Sequence, residues 1–210
     1  MVVEPVTLMG RHVRLEPLNP SHAEDLLIAG RDPEVWTYMP RHAFETLEDV
    51  KAWIAWSLEQ AAKGTDSPFA IINLVTGKAV GSTRFMDIAT ADRRLEIGWT
   101  WLAREAWQTP VNTECKYLLL RHAFEVLGCL RVQLKTDLRN TRSQQAIERL
   151  GAVKEGVLRK HVILKLKGDY QRSSVMYSII DTEWPAAKAR LEAKMGSMKN
   201  TKEHEEESCS

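Results

Sequence analysis

Cysteine is scarce: Cys115, Cys129 and Cys209 are the only three in 210 residues. Their odd number argues against a disulfide framework, and none is spaced with another as a metal-binding pair. A reducing compartment suits them, so the expected location is the cytoplasm. No apolar stretch approaches the ~18 residues of a membrane span. Glu4 and Pro5 stand where a secretory leader would need positive charge and then an apolar run. Neither sign of charge dominates, since 29 Lys and Arg against 28 Asp and Glu leave a formal net charge of +1. The electrostatic footprint of a nucleic-acid binder is missing, and no nucleic-acid or membrane partner is expected. The six histidines include no pair at the His-x-x-x-His spacing of helical ligands, so no metal is assigned.

What the chain does contain is periodic. Its 44% apolar and 27% charged residues are a globular mixture, and its length is that of one ordinary domain. Residues 12–16 alternate polar and apolar, the period of a half-buried strand. Ser21 precedes a short helical run over 23–29 that ends near Gly30. Thr46 or Thr37 opens the next helix, in which Leu47, Val50, Ile54 and Leu58 recur at helical spacing before Gly64. From residue 67 the texture turns to strands over 69–74, 79–88 and 95–102, with a turn at Thr76-Gly77-Lys78. Helices over 111–127 and 143–150 then alternate with strands over 131–136, 157–164 and 174–180. A last helix starts at Trp184-Pro185 and runs to about 195. A helix between two strands permits a parallel crossover. The expected fold class is therefore α/β, with a mixed, mostly antiparallel central sheet and flanking helices. No repeat or linker splits it. One domain is expected over residues 1–195, followed by a polar tail at 196–210 whose Lys-Glu-His-Glu-Glu-Glu run predicts disorder.

The chemistry concentrates between Trp107 and Ser143. Gln108-Thr109-Pro110-Val111-Asn112-Thr113 reads as a turn opening a helix, and a helix N-terminus presents unpaired amides and partial positive charge to an anion. Pro110 suits the first helical position, where its missing N–H forgoes no helical bond. Thr109 or Asn112 also fits a plain N-cap role, and both uses hold together. The following strand delivers Asn140, a good N-cap for the next helix. Ser143 shares a face with Ala146, Ile147 and Leu150, which sets its hydroxyl at the open end of an apolar stripe. In residues 95–102, period two puts Leu95, Ile97, Trp99 and Trp101 on one face and Glu96, Gly98 and Thr100 on the other. Cys115 lies with Leu118 and Leu119 and reads as a buried small residue.

This order of parts resembles the acyl-CoA core of the GCN5-related N-acetyltransferases (GNAT), and in detail their ribosomal-protein N-acetyltransferase branch. The most specific blocks are Asn112-Thr113-Glu114 and Asn140-Thr141-Arg142-Ser143, followed by Arg149-Leu150-Gly151-Ala152 and Glu155-Gly156. The resemblance covers about residues 6–191. It departs at the phosphate loop, which usually carries glycines in that family and has none over 108–113.

The resemblance implies an N-acetyltransferase that moves acetyl from acetyl-CoA, a cosubstrate, to a primary amine of a peptide or small molecule by direct attack in a ternary complex. It also implies roles for particular residues. Gln108, Thr109, Val111, Asn112 and Thr113 hold the diphosphate. The backbone around Trp101 and Leu102, with Asn140, holds pantetheine. Glu96 is the base acting through water, and Ser143 gives a proton to the departing thiolate. Asp87 competes with Glu96, and Tyr177 with Ser143, although Tyr177 alternates with Val175 and Ile179 in a way that fits packing better. Trp36, Tyr38, Trp53 and Trp56 fall where the acceptor side is covered, although aromatics also serve as plain core. A homodimer is compatible with the resemblance. The glycine-free loop keeps open a reading from another class, a noncatalytic CoA-binding or regulatory module.

Overall fold

A computed structural model describes residues 1–207, with side chains described through residue 196. The strands are β1 Leu8–Met9, β2 Val13–Pro17, β3 Ser67–Asn73, β4 Ala79–Ala89, β5 Arg94–Leu102, β6 Arg131–Asp137, β7 Val153–Leu164 and β8 Tyr170–Ile180. The helices are α1 Ala23–Ala29, α2 Leu47–Ala62, α3 Pro110–Arg121, α4 Thr141–Arg149 and α5 Trp184–Glu207. α5 runs on through Glu207, past the end near 195 read from the sequence, so the backbone of residues 196–207 is helical; the side chains from 197 and the last three residues of the polar tail lie outside the described residues. No helix among the described residues is long and apolar enough to cross a membrane.

One eight-stranded sheet runs in the order β1-β2-β3-β4-β5-β6-β8-β7. It is the mixed, mostly antiparallel sheet the sequence implies. Among the described residues only β5 and β6 pair in parallel, joined by the crossover through α3. Helices cover both faces. On one, α3 and α5 bury Val13, Phe85, Ile97, Leu118, Val132, Tyr177 and Leu191 in a continuous core. On the other, α1 and α2 enclose Leu26, Trp36, Phe44, Val50, Ile54 and Trp101. Each such fully buried large side chain stabilises the fold by about 1.5–3 kcal/mol.

Local chemistry explains the helix starts. Thr46, and not Thr37, caps α2 in a capping box: its side chain accepts from the Asp49 amide at 3.2 Å, while Asp49 accepts from the Thr46 amide at 2.8 Å. Thr37 instead closes a 3-10 turn over Pro33–Trp36. The helix expected over 111–127 is two pieces, α3 and a wider π turn at His122–Val126.

A strap that the sequence does not announce ties α3 to the sheet edge. The buried Glu114 carboxylate accepts from the amides of Arg11 at 2.8 Å, His12 at 2.6 Å and Val13 at 2.9 Å. The hairpin backbone passes so close that a Cβ at Gly10 would lie 2.6 Å from that carboxyl, which accounts for glycine there.

Candidate functional site

The sheet opens in its middle. β5 and β6 pair only at Arg94↔Arg131, Leu95↔Val132 and Glu96↔Gln133, although β5 runs on to Leu102 and β6 to Asp137. The two strands diverge above Glu96. A β-bulge accompanies the divergence: Ser82 pairs with Trp101 and Arg84 with Gly98, so Thr83 opposes both Trp99 and Thr100. Trp99 adopts φ 49, an uncommon backbone for a large side chain.

The bulge corrects the face assignment read from the sequence. The extra residue shifts the alternation by one, so Trp101 does not share the face of Leu95 and Ile97. It packs instead in the α1–α2 core, 4.9 Å from Trp36 and 5.8 Å from both Phe44 and Trp53, while Leu102 joins Leu95 and Ile97 under α3. Trp99 lies 5.3 Å from Trp56.

Glu96 sits at the floor of this opening, 1% exposed. Its Oε2 accepts from Gln133 Nε2 at 2.9 Å and lies 3.1 Å from Lys135 Nζ. Burial raises its pKa above the ordinary carboxylate value, and the Lys135 charge and Gln133 bond pull against that rise. Asp87 shares Lys135 at 3.8 Å, but its side chain is exposed. A space of about 150 Å³ touches Asp87, Glu96, Arg131 and Gln133. At ~30 Å³ per molecule it has room for a few waters.

The outer end of the opening is made by the starts of α3 and α4. Gln108 takes φ 59, the left-handed turn for which the expected loop would have used glycine. Thr109 caps α3: its Oγ1 accepts from the Val111 amide at 3.3 Å and donates to Ala106 O at 2.8 Å. That leaves Asn112 as the first-turn amide with no helical partner of its own, with Thr113 beside it. Asn140 caps α4, its Oδ1 accepting from the Ser143 amide at 3.0 Å. Ser143 is half-buried, and its hydroxyl has no hydrogen bond among the described residues. Arg142 stacks 3.7 Å over the Trp107 ring, whose indole N–H donates to Leu102 O at 2.9 Å. This stack brings together the two sequence blocks that local reading could only place in order.

Other candidates separate. Tyr177 is fully buried and donates to Glu148 at 2.9 Å, with its phenol pushed up to about 12, so it packs and does not face the opening. Cys115 is buried and pushed up to about 11 by its apolar surroundings. Trp36 and Trp53 are core, whereas Trp56 is 39% exposed and lines a groove of about 510 Å³ with Trp99, Arg41, Asp49 and Leu166. Tyr38 lies beside Arg139.

Sequence reading missed Lys116, an apolar-helix lysine only 7% exposed that donates to Thr100 Oγ1, which in turn lies 2.8 Å from Thr83 Oγ1. Burial lowers its pKa from 10.5 to about 8. Below pH 8 both folded and unfolded chains hold this proton, and the buried charge costs stability. Between about 8 and 10.5 the unfolded chain holds more protons, so stability should rise with pH across that window. Lys116→Met is expected to remove that rise and to raise stability at pH 7; urea unfolding from pH 7 to 10 checks it, and an unchanged slope in the variant would count against the assignment.

The Acetyltransferase (GNAT) domain family profile matches residues 12–153. A candidate acetyltransferase from T. thermophilus, known as a crystal structure, is 42% identical; the likeness covers 92% of this chain and 99% of that one, with a TM-score of 0.82. The candidate ribosomal N-acetyltransferase YdaF of Bacillus subtilis (strain 168) is 28% identical over 115 residues, 55% of this chain and 61% of that protein. The match thus takes in less than two thirds of that relative. Mycobacterium smegmatis RimJ in complex with CoA-disulfide is 20% identical with a TM-score of 0.78, over 90% of this chain and 95% of that one, a likeness of fold.

Proposed function

Since the chain belongs to the acetyltransferase (GNAT) family, we propose that it transfers an acetyl group from acetyl-CoA to a primary amine, the amine attacking the thioester directly while both substrates are bound. The observation that carries this reading is the buried, pKa-raised Glu96 at the floor of the opening between β5 and β6. A carboxylate so tuned suits removal of a proton from an attacking ammonium, and the small space beside it suits delivery through water.

The residues present fit the coenzyme. Beyond Glu96 and Gln133 the two strands no longer bond to each other, so the edge of β5 near Trp101 and Leu102 that faces away from β4 can take a pantetheine amide, beside the Leu102 carbonyl that Trp107 holds. The α3 turn from Gln108 to Thr113 offers the Asn112 amide and the helix dipole to a diphosphate, with the Arg142 cation close by. Thr109 spends its hydroxyl on Val111, so the loop binds with fewer amides than a glycine loop and affinity should be modest. Asn140 keeps its Nδ2 for the pantetheine arm. The coenzyme supplies an acyl carbon already activated as a thioester. Ser143 then assists the departing thiolate; because a thiol has a pKa near ~8.5, modest help suffices. Ser143→Ala should lower kcat roughly tenfold and leave the coenzyme Kd within about twofold. Steady-state kinetics beside calorimetry check this, and an unchanged kcat would remove the serine from the chemistry.

A protein N-terminal amine is the favoured acceptor, supported by the ribosomal relatives, with the cytoplasm as the setting. Purified protein with acetyl-CoA and a panel of peptides and small amines should release free thiol in step with acetylated acceptor mass. Coenzyme binding without turnover on any acceptor would favour the noncatalytic module, the reading that the capped Val111 amide and glycine-free loop support.

A further inference from the structure

Val175, Tyr177 and Ile179 of β8 point into the core under α3 and α5, as do Leu95 and Ile97 of β5 and Val132 and Leu134 of β6. The alternate residues lie on the opposite face: Glu96, Gln133, Lys135, Asp137 and, on β8, Ser178, Ser174 and Arg172. The α1–α2 core takes its sheet residues from β3, β4 and β5, so this part of the face is not closed by it.

The charges here are nearly all matched. Lys135 holds Glu96 and Asp87. Arg139 chelates Asp137 through Nε and Nη2, each at 3.1 Å, and stacks 3.6 Å over Tyr170. Arg172 is the exception. Its Nε is buried with no hydrogen-bond partner, and its guanidinium makes no ion pair among the described residues. It feels the charges of Asp137 and Glu96 without bonding either, and burial weakens its hold on its own proton. A half-buried guanidinium left without an acceptor is costly, and its planar fork matches a carboxylate bidentately.

We propose that Arg172 receives a carboxylate of the acceptor, so that the preferred substrate is an amine bearing an acidic group: an aminocarboxylate, either free or as an acidic residue near the start of a peptide. The inference rests on acetyl transfer with Glu96 as base. In that arrangement the amine approaches the water at Glu96 while Arg172, farther along the same face, fixes the other end of the acceptor. Arg172 sets specificity and does not enter the proton transfer.

The test uses matched acceptors that differ only in the acid: peptides beginning Ala-Asp against Ala-Asn and Ala-Glu against Ala-Gln, and free amino acids against their amides. The wild-type kcat/KM should favour the acid member about tenfold or more, chiefly through KM. Which arm shows the larger ratio tells peptide from free amino acid. Arg172→Gln should collapse the ratio to about one, chiefly by raising KM for the acid member, and Arg172→Lys, which keeps the charge but not the fork, should restore part of it. A wild-type ratio near one overturns the inference and leaves acetyl transfer standing. So does an Arg172→Gln variant that slows both members equally with a common shift in pH profile, since Arg172 would then serve Glu96. Absence of thiol release with every acceptor removes the acetyl-transfer reading, and this inference with it.

Discussion

Glu96→Gln is expected to lower kcat/KM by about 10²- to 10⁴-fold, the usual range for loss of a general base, with coenzyme affinity little changed. The substitution keeps the shape of a side chain that is 1% exposed and bonded to Gln133, so its effect should lie in proton transfer and not in folding. The wild-type pH profile carries the same information. Only the deprotonated carboxylate accepts the ammonium proton, so activity should fall as pH drops through the Glu96 pKa. Burial raises that pKa, which sets the acid limb above the ~4.3 of a free glutamate. Lys135 opposes the rise, so Lys135→Met should move the limb to still higher pH. The limb should be absent from any residual Glu96→Gln activity. A variant with wild-type rate and an unaltered profile would place the base elsewhere.

Glu114→Ala is expected to destabilise the fold by roughly 3–5 kcal/mol, because three amides of the β1–β2 hairpin lose their acceptor together and each buried unpaired donor costs about 1–3 kcal/mol. The total is held down because the hairpin can detach and rehydrate before the full penalty is reached. Glu114→Gln should fall between the two: its carbonyl can replace Oε2 toward His12 and Val13, but its NH2 then faces the Arg11 amide, donor against donor. Denaturant unfolding measures both. A Glu114→Ala variant within ~0.5 kcal/mol of wild type would mean that the strap is dispensable. Because the same helix begins at the Thr109 cap, loosening the strap should also weaken coenzyme binding, which separates it from a remote stability change.

Much of the architecture was written locally. Alternation over β2, the helical repeat of Val50, Ile54 and Leu58, and the Asn140 cap depend on residues within a few positions of one another, and all reappear in the folded chain. Reading failed where a residue answers to a distant partner. The bulge at Trp99 is imposed by pairing with β4, and no glycine at position 99 advertises its positive φ. The tryptophans looked alike in sequence, yet Trp36 and Trp53 are core and Trp56 borders the groove, because only packing against β5 decides which ring is covered.

The sequence by itself determined the period of the elements, and with it a mixed α/β sheet, the cap at Asn140 and a helix start near Pro110, whose cap it left between Thr109 and Asn112. Those properties follow from backbone sterics and side chains a few residues apart. Only the tertiary structure decided that β5 and β6 part above Glu96, that Glu114 and Lys116 are buried, and that Arg172 has no counter-ion among the described residues. The energy of a buried charge is set by which remote groups surround it, and that information exists only once the strands have paired.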